Sequence, residues 1–259
     1  MRKLSILAAL ILCFCTSCAS IMTGTKEADK KSTAVVCIGM QRSAAFGECP
    51  GAGIDATRMY NILTKYSDDA KLLISNQAIY TNVRAAMIAA CQKDLAIIYY
   101  SGHGGSQKQK ITSNTTYVEP SGHDSFLCLY NAAMMDDEIW AIVSQAKGRV
   151  VLMFDCCHSA TMFRGFPIMT FAKQTSALAA STEKDGPRLL VLSGCDDLSY
   201  SYGADDGGLM TNLFLRKYKN TKSYDEVFSA VEKNKELGRS QNVHFTEIGK
   251  SFKALPIFH

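Results

Sequence analysis

The chain has 259 residues, 47% of them hydrophobic and 20% charged, and a net charge of +4. This is the composition of an ordinary globular protein with one good-sized core. The charge is small and scattered: Lys108, Lys110 and the cluster Lys217–Lys222 read as solvated loop and helix surface, so nucleic acid is not an expected partner.

Met1-Arg2-Lys3 is a short cationic start, Leu4 to Phe14 is apolar, and Thr16-Ser17-Cys18-Ala19-Ser20 is a small-residue exit. The pattern is that of a secretory signal, and the apolar stretch is too short for a membrane span. Small residues directly before Cys18 point to lipoprotein processing. That would leave Cys18 lipidated at a new N-terminus and attach the chain to a membrane through its lipid. Ordinary cleavage after Ala19 is the alternative and would give a periplasmic or secreted chain. Residues 1–18 are thus read as signal, 19–32 as a polar tether, and 33–259 as one domain without an internal linker or repeat.

Apolar β-type runs then alternate with helical patterns. A strand is predicted over Thr33–Met40, and a helix over Ile54–Tyr66 that Gly53 or Asp55 could start. A short strand follows at Ala70–Ser75. The helix predicted over Asn82–Lys93 has Met87, Ile88 and Cys91 on its inner side. Strands are predicted over Leu95–Tyr100 and Phe126–Tyr130. The next helix, Met135–Ala146, has Asp136 and Asp137 near its positive end, where carboxylates are favoured, and Trp140 as a core residue. Strands at Arg149–Asp155 and Arg188–Ser193, helices at Leu209–Tyr218 and Tyr224–Leu237, and a strand at Val243–Ile248 complete the chain. Nearly continuous apolar strands between helices mean an α/β sandwich, with a mostly parallel sheet of about six strands covered on both faces. Segments 104–124 and 161–187 show no regular pattern; loops this long are often functional.

Ten cysteines would suit disulfides in an exported chain. Cys13, Cys15 and Cys18 belong to the signal, however. Cys37, Cys91, Cys128 and Cys195 sit among apolar neighbours and read as buried thiols. Cys49, beside Pro50, is uncommitted. No spacing fits a zinc site, and Cys156-Cys157 would make a strained disulfide.

The chemistry gathers at two strand ends. Leu95–Tyr100 runs into Ser101-Gly102-His103-Gly104-Gly105, and Val150–Phe154 runs into Asp155-Cys156-Cys157-His158. Ligands bind beyond the carboxyl ends of strands in open parallel sheets. Adjacent side chains of an extended chain point to opposite sides, so His158 is badly placed to deprotonate Cys157, and His103 is the natural base. Asp155, two residues before Cys157, shares its side and is suited to hold a cationic substrate group. As the base it is unsuited, because a nearby negative charge disfavours the thiolate.

YYSGHGG (Tyr99–Gly105) and FDCCHSA (Phe154–Ala160) resemble the two signature blocks of metacaspases and their bacterial relatives, in the caspase-like cysteine peptidase group. GIDATRMYNIL (Gly53–Leu63), MMDDEIW (Met134–Trp140), LLVLSGCDDLSYS (Leu189–Ser201) and GLMTNLFLRKY (Gly208–Tyr218) extend the likeness over most of residues 33–250. The resemblance implies a caspase-like three-layer sandwich. It implies a cysteine endopeptidase with His103 as general base and acid, Cys157 as nucleophile, Cys156 as a buried neighbour, and the N–H groups of Gly104 and Cys157 as the oxyanion hole. It also implies that Asp155 and Asp55 bind a basic side chain before the scissile bond, with Ser101 lining the same pocket. For Asp55 the alternative is a helix-start residue favoured by the dipole.

The substrate class so implied is a peptide or protein cut after Arg or Lys, with Arg favoured because its planar fork suits carboxylates. Ala160 stands where glycine is common in the family, and Ala52 where many relatives have cysteine. Several metacaspases use calcium through clustered aspartates. Here Asp136 and Asp137 resemble part of that cluster, but SQKQKITSNTTYVEP after His103 is nearly free of acids. Calcium needs about six or more oxygens, so a helix-start pair is the preferred reading and no cofactor or metal is expected. Arg164, Lys173 and Lys184 in segment 161–187 are expected sites of self-cleavage. The rival readings are a catalytically silent scaffold on the same fold and a different Cys-His acyl-transfer enzyme of the envelope, an amidase or transpeptidase.

Overall fold

The computed structural model describes residues 30–110, 122–157, 187–194, 203–204, 207–237 and 241–259. The signal with Cys18, His158, Ala160, the basic residues Arg164, Lys173 and Lys184, and Cys195 lie outside the described residues.

With strands numbered in chain order, the main sheet runs β13 (His244–Ile248), β10 (Arg188–Ser193), β9 (Arg149–Asp155), β5 (Leu95–Ser101), β1 (Thr33–Gly39), β4 (Asp69–Ile74). β4, β1, β5, β9 and β10 pair in parallel, and β13 closes one edge antiparallel to β10. This is the mostly parallel six-stranded sheet predicted, and β9 and β10 have the predicted bounds. Every residue of β1 and β5 is buried. That is the signature of a sheet packed on both sides.

Alternation along the strands divides the core in two. Ala34, Val36, Ile38, Ile98 and Leu152 meet Val83 and Met87 of α2 (Tyr80–Ala90) and Ile139 and Val143 of α3 (Asp136–Val143). On the other face Val35, Cys37, Ile97 and Met153 meet Met59 and Leu63 of α1 (Gly51–Leu63), Leu213 and Phe214 of α4 (Leu209–Lys217), and Phe228 of α5 (Tyr224–Glu232). Met87 and Cys91 are buried as predicted, but Ile88 faces outward and is 36% exposed. One helical residue turns the side chain by roughly 100°, off the buried stripe. Trp140 is partly buried and packs at the core margin. The last predicted helix ends early: a 3₁₀ turn at Lys235–Leu237 follows α5, and the Asn234 side chain accepts the Glu236 N–H at 2.9 Å. Such local side-chain bonds compete with the helical ladder.

Three small antiparallel sheets decorate this frame: β2 (Arg42–Ser43) with β3 (Gly47–Glu48); β6 (Gly104–Lys108) with β7 (His123–Cys128) and β8 (Ala133–Met135); and β11 (Gly203–Ala204) with β12 (Gly207–Gly208). β6 corrects the expectation of an irregular segment from residue 104. Its GGSQK sequence has little strand propensity of its own, and pairing with β7 makes it a strand. The order β4-β1-β5 places β1 between the strands that follow it on either side. This is the topological switch point where crevices form at carboxyl ends.

Candidate active site

β5 delivers His103 and pins it. The Tyr100 hydroxyl lies 2.7 Å from the His103 carbonyl oxygen and 2.8 Å from that of Cys128, and the Cys128 N–H donates to the His103 carbonyl at 3.0 Å. His103 Nε2 is 2.9 Å from the backbone oxygen of Glu48, at the end of β3. A carbonyl can only accept, so Nε2 carries a proton there, and in the neutral imidazole the lone pair falls to Nδ1. The hairpin β2–β3, braced by an Arg42–Glu48 ion pair, thereby sets the tautomer.

β9 delivers the thiols. Phe154 is fully buried, which contributes about 1.5–3 kcal/mol and anchors the strand end. Cys156 is buried in the core against the α2–α3 side, whereas Cys157 is half-buried and lines a cavity. Gly104 is tight against it. A Cβ at this position would run into the Cys157 carbonyl oxygen and meet the Cys156 sulfur at 3.2 Å. The start of β6 and the Cys156-Cys157 segment therefore touch backbone to backbone.

Ser101 and Asp155 face each other in register across β5 and β9. Asp155 is buried, and its Oδ2 accepts the Thr211 N–H at 2.9 Å and the Thr211 hydroxyl at 2.7 Å. Thr211 is the third residue of α4, whose N-cap Gly208 has no side chain to offer. A carboxylate from β9 thus caps α4 across the fold, where an anion is favoured. The Thr211 hydroxyl also lies 2.6 Å from that of Tyr99.

Asp55 approaches from α1. It is the fifth helical residue, not the first, and none of its surface is exposed. The helix-start alternative is therefore wrong: Pro50 holds the N-cap position and the Gly51-Ala52-Gly53 turn precedes Asp55. Its Oδ2 accepts the Gly208 N–H at 2.7 Å and the Ser101 hydroxyl at 3.0 Å, while Oδ1 is buried with no partner among the described residues. Burial pushes this carboxyl up to about 7; the charge of Asp155 adds to the shift, and the bonds from Gly208 and Ser101 and the nearby Arg58 oppose it.

His103, Cys157, Ser101, Asp55 and Asp155 line one cavity of about 210 Å³, together with Gly208 and Cys49-Pro50. The structure thus brings together the candidate side chains His103, Cys157, Ser101, Asp55 and Asp155, with the Gly104 backbone beside them. It adds residues the sequence did not single out. Cys49 faces the same cavity, its thiol pushed up by burial and by the charges of Asp155, Asp55 and Cys157. Thr211 and the glycines of β12 hold the acids, and the Glu48 carbonyl holds the imidazole. Of these only Cys49 had a sequence signal, a thiol in a loop beside Pro50. Chemically, the arrangement combines a thiol, an imidazole with a free nitrogen, and an acidic recess.

A second cavity of about 210 Å³ lies between α2 and α3, around Arg84, Glu138 and Gln145. Its thiol, Cys91, is held up to about 12 by burial, and no histidine lines it. Cys37 and Cys128 are likewise buried, unpaired thiols. At the start of α3, Asp136 accepts the N–H groups of Ser125 at 3.2 Å and Asp137 at 2.9 Å, so both its oxygens are engaged by backbone. Among the described residues no His, Cys, Asp and Glu side chains group in threes around a point fit for a metal ion.

An α/β sandwich carrying a thiol and an imidazole on one cavity at its strand ends is a fold of the cysteine-peptidase type. A profile of the Caspase domain matches residues 33–257, so the chain belongs to the caspase-domain family and, at family level, to the cysteine peptidases. No curated protein matches the sequence. Among solved structures, protein GSU0716 from Geobacter sulfurreducens is 22% identical with a TM-score of 0.66, covering 88% of this chain and 98% of its own. Caspase-1 from Spodoptera frugiperda is 8% identical with a TM-score of 0.53, covering 86% and 87%. At these identities the likeness is one of fold.

Proposed function

We propose that this chain is a cysteine endopeptidase that cuts peptide bonds after Arg or Lys, using His103 and Cys157 as its dyad. The observation that carries this reading is a single cavity lined by the thiol, the imidazole and two buried carboxylates. A guanidinium or ammonium entering the recess meets Asp155 and Asp55, and the planar fork of arginine can engage a carboxylate through two bonds. Ser101, bonded to Asp55, lines the same recess.

Nδ1 of His103 takes the thiol proton, and Cys157 Sγ attacks the carbonyl carbon. The charge that develops on the carbonyl oxygen is met by the N–H groups of Gly104 and Cys157. Collapse breaks the C–N bond, and the leaving amine takes its proton from His103. Water then attacks the thioester, again giving a proton to His103, and the acid leaves with Cys157 restored. The N-terminal pattern extends the proposal: the enzyme works outside the cytoplasm, held to a membrane by lipid on Cys18.

The test is a panel of fluorogenic peptides varied at the residue before the scissile bond, with and without calcium. Cleavage of the Arg and Lys members is expected, falling by at least about a thousandfold in Cys157→Ala and His103→Ala. Cleavage after Asp would overturn the pocket assignment. Cleavage of no member would overturn the peptidase reading in favour of a silent scaffold or another acyl-transfer chemistry.

A further inference from the structure

The inference below rests on the basic-specificity reading. The two carboxylates of the recess are not equivalent. Asp155 receives both donors of Thr211 at a helix N-terminus. Asp55 has one oxygen satisfied by Gly208 and Ser101, while its other oxygen is buried and bare among the described residues. Gly207 explains why the bare oxygen stays enclosed. Its φ of +119° suits glycine, and a Cβ there would collide with Asp55 Oδ1. β12 therefore lies flat on the carboxyl group. A buried anionic oxygen with no donor, next to a second carboxylate, costs more than the neutral carboxyl would.

We propose that the empty pocket holds Asp55 as the neutral acid, and that a guanidinium or ammonium side chain enters with release of that proton. The O–H bond of Asp55 breaks, the proton passes to solvent, and the arriving cation lies in the cavity that Asp55 and Asp155 line. The neighbours are consistent with this. Among the described residues, the charged or titratable groups around Asp55 are Asp155 from β9, Tyr99 from β5, Cys49 ahead of α1, and Arg58 on α1 itself. His103 and Cys157 share the cavity. Arg58, the guanidinium of the set, sends Nη1 to Asn212 Oδ1 at 3.0 Å. β12 brings only glycine, and Asp205 and Asp206, which precede it in sequence, lie outside the described residues.

The Asp55–Asp155 pair then carries one negative charge before the cation enters and two after. Binding of a cation needs the ionised form, so affinity falls as pH falls. Asp55 sits at about 7 in the empty pocket. Affinity for an arginine peptide should therefore drop about tenfold per pH unit below that point and level off above it. A citrulline peptide, of the same shape but neutral, gains nothing from the second charge.

Calorimetric titration of Cys157→Ala with the arginine and citrulline peptides tests this, in buffers of different ionisation enthalpy at about pH 6 and about pH 8.5. The expected result is release of close to one proton per arginine peptide at the lower pH, almost none at the higher, and none with citrulline. Release should survive added His103→Gln, which removes the imidazole as its source, and vanish with added Asp55→Asn. A charge preference at the higher pH with no proton released at the lower overturns this inference alone, as does release that persists in Asp55→Asn. Equal binding of the two peptides at the higher pH overturns the basic-specificity reading and this inference with it. Should Asp55→Asn fail to fold, the pH profiles on the Asp55 background decide. An arginine affinity that weakens about tenfold per unit relative to citrulline supports the proposal, and parallel profiles overturn it.

Discussion

Thr211 ties the acidic recess to the sheet beneath it. One hydroxyl lies 2.7 Å from Asp155 and 2.6 Å from the Tyr99 hydroxyl, both in the buried interior. Valine matches threonine in shape but leaves the Tyr99 hydroxyl without this partner and Asp155 with one donor fewer. Thr211→Val should therefore cost about 1–3 kcal/mol of stability, a fall of roughly 2–12 °C in Tm for a domain of this size. It should raise KM for arginine peptides more than it lowers kcat, and Thr211→Ser should restore both; an unchanged KM would deny it a positioning role. His103 and Cys157 were legible in the sequence because each ends a buried apolar run in a reactive side chain. Thr211 was not, because nothing in GLMTNLF tells which carboxylate will meet that helix start.

At the level of elements, the strands of the parallel sheet were readable because burial on both faces demands unbroken apolar runs. β6 was hidden, since Gly104–Lys108 is held by β7 and not by its own propensity. In the proposed reaction the register of β6 matters, because its first residue lies against the Cys156-Cys157 segment. Gly104→Ala places a methyl group against the Cys157 carbonyl, a backbone atom with no rotamer to yield. The expected result is a folded protein with the acidic recess retained and turnover lost by about a hundredfold or more, the scale of losing one oxyanion donor. A variant of ordinary kcat would show that the contact is slack. α1 was misread at its start for a related reason. Gly51-Ala52-Gly53 is a poor helix former, but Gly39 lets that turn approach so closely that a Cβ there would lie 2.7 Å from the Ala52 oxygen.

For the molecule as a whole, the family match and the sheet describe the domain, while its address rests on the N-terminus. If Cys18 is lipidated, full-length protein expressed in a Gram-negative host should partition into the detergent phase of a cloud-point extraction, and Cys18→Ser should move it to the aqueous phase. Wild-type protein in the aqueous phase would favour cleavage after Ala19. The cross-fold cap has a consequence for how such an enzyme can diverge. Asp155 fastens α4, and in the proposed function it also recognises the guest. A lineage or an engineer exchanging this residue to change the diet of the enzyme would loosen a helix in the same stroke. New tastes would thus have to arrive together with a replacement cap, and drift in this recess should be slow.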